Sequence, residues 1–316
     1  MLRSKSFHKG INLGGWMSQC DYSEDRLHHF ITESDFEKIA SWGFDHVRIP
    51  IDYNILQNSD GSVIESGFVR IDNALKLCRK YELKVVLDLH KTAGFSFDEG
   101  ETESGFFDSE KYQEMFYRLW EEFAKRYGND TQNIVFELLN EVTDACFLNS
   151  WNKISNVCIK RIRAYAPETV ILVGSYFNNA AETVQYLDAP YDKNVVYNFH
   201  CYEPLTFTHQ GATWTARINP SDRVSFAESG TTEEYFENLF SSAIKKAQEN
   251  ETSLYCGEYG MIDIASPEDS LKWFETIHHV FEKYGIARSV WSYKEMNFGI
   301  ADEKYDAIRD ELLKYL

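Results

Sequence analysis

Nothing in these 316 residues carries a metal-binding or nucleotide-binding signature. HExxH spacing, a Cys/His cluster and a Walker A loop are all missing, and Gly10, Gly14 and Gly15 open the chain before any strand, so they make no dinucleotide fingerprint. Neither a cofactor nor a metal is expected. No apolar stretch reaches the roughly 18 residues a membrane helix needs, which removes the bilayer as a partner. Behind the basic opening Met1-Leu-Arg-Ser-Lys5 there is no apolar run of about 7–15 residues, so no secretory signal is read. CxxC spacing is also missing: Cys20, Cys78, Cys146, Cys158, Cys201 and Cys256 are scattered, three of them inside apolar runs, and free thiols are expected. These two absences point to a cytoplasmic location, or to secretion if a leader precedes this sequence. Basic residues are scarce as well. Thirty-two Lys and Arg against fifty Asp and Glu leave a formal charge of −18 with no basic cluster, which excludes nucleic acid and anionic membrane surfaces and favours a neutral substrate.

Aromatic residues are plentiful, at 15%. That suits either rings stacked on flat ligands such as sugars or simply an aromatic core. Eight short apolar runs recur along the chain: Lys9–Leu13, Phe44–Ile49, Lys84–Leu89, Asn133–Leu139, Val170–Val173, Val195–Phe199, Ser253–Cys256 and Ala287–Trp291. Between them apolar residues return at intervals of three and four. Tyr112, Phe116, Leu119 and Phe123 form one such set, ending near Gly128; Trp151, Ile154, Cys158, Ile162 and Tyr165 form another, ending before Pro167. Ser34-Asp-Phe-Glu37 reads as a capping box opening the first helix. Eight strands alternating with helices predict an α/β fold, a closed (β/α)₈ barrel of one domain over residues 1–316. The longest departure follows the sixth strand: a loop insertion over 203–232, rich in Thr, Ser, Gly and Pro, precedes a helix at Glu233–Glu249. Loops after strands build the active face of such a barrel, so the insertion either walls the substrate cleft or caps the rim.

Polar and titratable residues gather where the strands are predicted to end: Arg48 after the second, His90 after the third, Asn140 and Glu141 after the fourth, His200 and Tyr202 after the sixth, and Glu258 after the seventh. Two glutamates from different strands suggest the paired carboxyl groups of glycosidic bond cleavage. Strands four and seven of a barrel of roughly 7 Å radius lie about 135° apart, which leaves about 5 Å between inward carboxyl groups. That spacing suits a nucleophile rather than an intervening water, and retention of configuration is expected. Glu137 shares the strand parity of Glu141 and is read as a structural partner of a base.

Lys9-Gly-Ile-Asn-Leu-Gly-Gly-Trp16, His46-Val-Arg-Ile-Pro50, Leu87-Asp-Leu-His90, Phe136-Glu-Leu-Leu-Asn-Glu141, Asn198-Phe-His-Cys-Tyr202, Tyr255-Cys-Gly-Glu-Tyr-Gly260 and Val290-Trp-Ser-Tyr-Lys294 together resemble the successive motifs of glycoside hydrolase family 5, its clostridial endoglucanases in particular. The resemblance implies a two-step retaining mechanism, with Glu141 as acid/base and Glu258 as nucleophile. It also implies that Asn140 binds the 2-hydroxyl of the sugar being cleaved, His90 binds that sugar, His200 supports Glu141 and Trp291 forms the stacking floor. Arg48 and Tyr202 would keep Glu258 ionised. Trp16, Phe95, Phe106, Trp214 and Tyr293 are candidates for outer subsites. Compared with those clostridial enzymes, the segment after Trp214 is shorter, which would leave a more open cleft suited to internal cleavage.

The expected substrate is a β-1,4-linked glucan polysaccharide or oligosaccharide, cut by a monomer. A β-mannanase and an exo-β-1,3-glucanase share the catalytic set and remain alternatives. A binding-only barrel would not need two close carboxyl groups whose repulsion destabilises it. Asn129-Asp-Thr and Asn250-Glu-Thr match glycosylation acceptors, a pattern of low specificity.

Overall fold

The computed structural model describes residues 2, 5–98 and 100–316; Met1, Arg3 and Ser4 of the basic opening lie outside the described residues. Eight parallel strands pair in chain order and close on themselves. They are β1 (Lys9–Asn12), β2 (His46–Asp52), β3 (Lys84–Lys91), β4 (Ile134–Glu137), β5 (Val170–Val173), β6 (Val195–Cys201), β7 (Leu254–Tyr259) and β8 (Ala287–Val290). The apolar runs find every strand, but β2, β3, β6 and β7 continue past them. The added residues of β3, β6 and β7 include His90, His200 and Glu258, which line the cleft. Arg48, His90, His200 and Glu258 therefore sit inside strands, not after them as the sequence suggests.

Six long helices cover the barrel: α1 (Glu33–Ser41), α2 (Glu65–Lys80), α3 (Glu110–Tyr127), α4 (Leu148–Arg163), α5 (Glu233–Glu249) and α6 (Pro267–Tyr284). A 3₁₀ turn, Ala181–Tyr186, replaces the helix after β5. The three-and-four spacing in α3 buries Phe116, Leu119 and Phe123 against the sheet, and Gly128 caps the helix. Tyr165, counted with the α4 stripe, lies beyond the helix and is 45% exposed. The capping box of α1 uses Thr32 and Asp35 rather than Ser34 and Glu37: Thr32 N donates to Asp35 Oδ2 at 2.7 Å, so the helix starts two residues early. Among the described residues no helix is long and apolar enough to cross a membrane.

The barrel interior is layered. Its floor is apolar, with Leu2 and Phe7 closing a cluster of Val86, Val135, Val170, Leu172, Val196 and Ala287. Above it His46 Nε2 lies 2.9 Å from the Tyr255 hydroxyl, which shares a 2.7 Å hydrogen bond with Ser289. A side chain on residue 10 would enter this layer, its Cβ only 2.2 Å from His46 Nε2, so glycine is required there. Over this layer stands the charged one that carries the site. The six cysteines are free; four are buried, and Cys146, in the loop after β4, is exposed.

Candidate active site

Arg48 is the hub. Fully buried on β2, it grips Glu137 through two parallel bonds of 2.7 Å, from Nε to Oε2 and from Nη2 to Oε1. It also donates to Asn140 Oδ1 at 2.7 Å, to Glu258 Oε1 at 2.8 Å and to Asn12 Oδ1 at 2.9 Å, and pairs with Asp88 Oδ2 at 3.0 Å. Only a planar guanidinium satisfies this many fixed acceptors at once. Burial disfavours its charge, but Asp88 and Glu137 outweigh that and hold it fully cationic. Three carboxyl groups share one guanidinium, and the excess appears in their titration. Burial pushes Asp88 up to about 7 against the pull of Arg48, and raises Glu137 likewise.

Glu258 moves the other way. Burial would raise it, but His200, Arg48 and His90 together with the Tyr202 hydroxyl, 2.9 Å from Oε2, bring it below the usual carboxylate range. It is a carboxylate at neutral pH. Glu141 stands opposite, in the loop just past β4. His200 Nδ1 lies 2.8 Å from its Oε1, and Asn178 Nδ2 donates to its Oε2 at 2.9 Å. His200 is 3.7 Å from Glu258 Oε2. Burial opposes its protonation, yet the Glu258 charge and the Glu141 hydrogen bond raise it above the ordinary imidazole value. One carboxylate oxygen of each glutamate and a ring nitrogen of His200 all lie within 4.8 Å of one another. Among the described residues this trio is the one His/Cys/Asp/Glu group able to hold a metal ion, but its imidazole Nδ1 already bonds Glu141.

The remaining predicted residues converge on the same point. His90 Nδ1 lies 2.6 Å from Asp88 Oδ2, and burial holds the ring down to about 4, so it is neutral. Trp291 lies parallel to it, with centroids 5.8 Å apart and an interplanar angle of 1°, and both line the cleft. Gly14 lets that indole approach the backbone; a Cβ there would be 2.8 Å from the ring. Asn140 Nδ2 is buried and has no partner among the described residues, the pattern of a donor reserved for a ligand. The cleft holds about 760 Å³ and is lined from the insertion by Glu203, Leu205, His209, Trp214, Thr215 and Arg217.

Four of the five outer-subsite candidates are elsewhere. Trp16 donates to Leu27 O in the core, Phe95 and Phe106 belong to a buried ring cluster, and the buried Tyr293 bonds Asp35. All four rings are buried in the core, out of reach of a ligand. Trp214 alone reaches the cleft, 45% exposed. The rings that line it otherwise, Phe97, Phe177 and Phe298, come from loops with no periodic signal. Asn12, Asp88 and Asn198 were also not singled out. Asn198 donates to Glu137 Oε1 at 2.8 Å and accepts from Gly257 N at 3.0 Å. A polar residue in an otherwise apolar strand is the signal that could have found each. Glu137, predicted to pair with a base, does so with Arg48.

The family described as cellulase, glycosyl hydrolase family 5, matches residues 6–297. The chain is 67% identical over 288 residues to cellodextrinase A of Ruminococcus flavefaciens, covering 91% of this chain and 86% of that protein. To endoglucanase C of Acetivibrio thermocellus it is 36% identical over 338 residues, covering 98% of each. The crystal structure of endoglucanase Cel5A from Thermotoga maritima superposes with a TM-score of 0.82 at 26% identity, over 99% of this chain and 98% of that one.

Proposed function

The chain belongs to glycosyl hydrolase family 5 and is a β-1,4-glucan hydrolase; from that premise we propose that it cleaves cello-oligosaccharides and soluble β-1,4-glucan with retention, Glu258 attacking and Glu141 exchanging the proton. The observation that carries this reading is the asymmetry of two carboxyl groups whose nearest oxygens lie within 4.8 Å. Retaining pairs stand about 5–5.5 Å apart, too near for a water between them. Arg48 and Tyr202 hold Glu258 as the ionised nucleophile. It attacks the anomeric carbon to form a glycosyl ester while Glu141 protonates the departing oxygen. Water, deprotonated by Glu141, then releases the sugar from Glu258.

Asn140 Nδ2 is the donor for the 2-hydroxyl at the scissile sugar, and Trp291 its apolar floor. The preference for oligosaccharides is supported by the name of the 67% identical relative. Proton NMR of the first product from cellopentaose tests the mechanism: the β-anomer is expected, and an initial α-anomer refutes it. Reducing-sugar release from cello-oligosaccharides, carboxymethylcellulose, lichenan, laminarin and mannan tests the substrate, with laminarin or mannan as the best substrate overturning it.

A further inference from the structure

The loop after β5 carries three successive non-glycine residues in the left-handed region, Phe177, Asn178 and Asn179, with φ of 59°, 53° and 59°. Such a run is unfavourable unless its surroundings over-determine it. Here they do: Asn178 N donates to Val142 O at 3.0 Å, and Asn179 Oδ1 accepts from Ser175 N at 2.9 Å. The turn has two outputs. It places Asn178 on Glu141, and it throws Phe177 outward into the cleft, 55% exposed. There the Phe177 ring meets Arg217 from the insertion after β6, with the guanidinium carbon 5.7 Å from the ring centroid. Both residues line the cleft, and the field of Arg217 reaches Glu203 and His209 deeper in the same wall.

Resting on the roles given above, Glu141 marks the side on which the leaving group departs, and Phe177 stands beyond Glu141's own partner on that side. β5 and β6 are neighbours in the barrel, so this contact joins their two loops into one continuous stretch of cleft wall beside Glu141. We infer that Phe177 and Arg217 form a clasp at the leaving-group end, which admits a short β-1,4-gluco-oligosaccharide leaving group and hinders a polymer that must run on. Such a clasp would narrow one end of the more open cleft expected from the shorter segment after Trp214. An exposed cation–π contact biases such a choice by only about two- to fivefold, so the clasp selects rather than forbids.

The test uses the whole protein. Cellopentaose labelled with ¹⁸O at its reducing end reports by mass spectrometry which bond is cut, and kcat/KM is compared between cellopentaose and carboxymethylcellulose. The wild type should leave one or two glucose units. Phe177→Ala and Arg217→Ala should raise the polymer-to-oligosaccharide ratio about two- to fivefold and shift cleavage toward longer leaving groups, while Phe177→Trp, which rebuilds the contact, restores the original pattern. Unchanged ratio and cleavage position in alanine variants that keep the wild-type Tm would overturn the clasp alone. A wild type that hydrolyses no cello-oligosaccharide would instead overturn the reading on which it rests.

Discussion

Glu141 and Glu258 carry the same carboxyl group into the same cleft and differ in their neighbours, so their removal should fail in different ways. Glu258→Ala should lower turnover of every substrate by several orders of magnitude, and azide entering the vacated space should restore some rate with an α-product. In Glu141→Ala, a dinitrophenyl cellobioside, whose leaving group needs little protonation, should be far less impaired in glycosylation than cellopentaose, and azide should yield a β-product. NMR of the azide adducts checks both; exchanged stereochemistry would exchange the roles. Tyr202→Phe probes the ionisation of Glu258. The hydroxyl bond favours the carboxylate and keeps its titration below the usual range. A hydrogen bond to a charge is worth about 1.5–3 kcal/mol and one pH unit about 1.4 kcal/mol, so its loss should move the acid limb of kcat/KM upward by about one to two units. An unmoved limb would show that Arg48 and His200 set the ionisation unaided.

Strand β2 sets the charged layer, since it carries the guanidinium around which three other strands place their carboxyl groups. Arg48→Met should destabilise the fold by about 3–5 kcal/mol at pH 7, because Asp88, Glu137 and Glu258 would lose the buried cation they share. Those carboxyl groups would then titrate higher folded than unfolded, so the unfolded chain binds fewer protons and the deficit should shrink as pH falls through their raised values toward 5. Urea unfolding at both pH values measures this; an equal loss at both would mean that packing, not charge, is what Arg48 supplies.

At this scale the sequence was readable where a pattern is local. Apolar runs bounded by turns found all eight strands, and motif residues such as His90, Glu141 and Glu258 stood out as polar punctuation at their ends. Asn12, Asp88 and Asn198 did not, because their contacts, Asn12 and Asp88 with Arg48 and Asn198 with its partner Glu137, depend on the register between strands, which no spacing encodes. Asn178 escaped for another reason: its aim depends on a left-handed backbone that three non-glycine residues do not advertise.

Across the whole molecule, the layered interior separates endurance from chemistry. The apolar floor of Leu2, Phe7 and the strand valines contributes burial, while the charged layer above it contributes reactivity. Dialysis against EDTA should leave the rate on cellopentaose unchanged, since no step of the mechanism draws on a metal. Zinc at millimolar level should inhibit, because Glu141, His200 and Glu258 offer three ligand atoms within 4.8 Å, and EDTA should reverse it. Activity lost on EDTA treatment and restored by one metal would overturn the metal-free mechanism.

One incidental feature follows from the distribution of thiols. Four of the six cysteines are buried and Cys20 is partly covered, which leaves Cys146 as the accessible one, three residues from the cleft-lining Thr143. The chain thus already provides an exposed attachment point in the same loop as Thr143. A maleimide fluorophore placed there, without any engineered cysteine, would report by its change in emission as an oligosaccharide chain enters and its product departs.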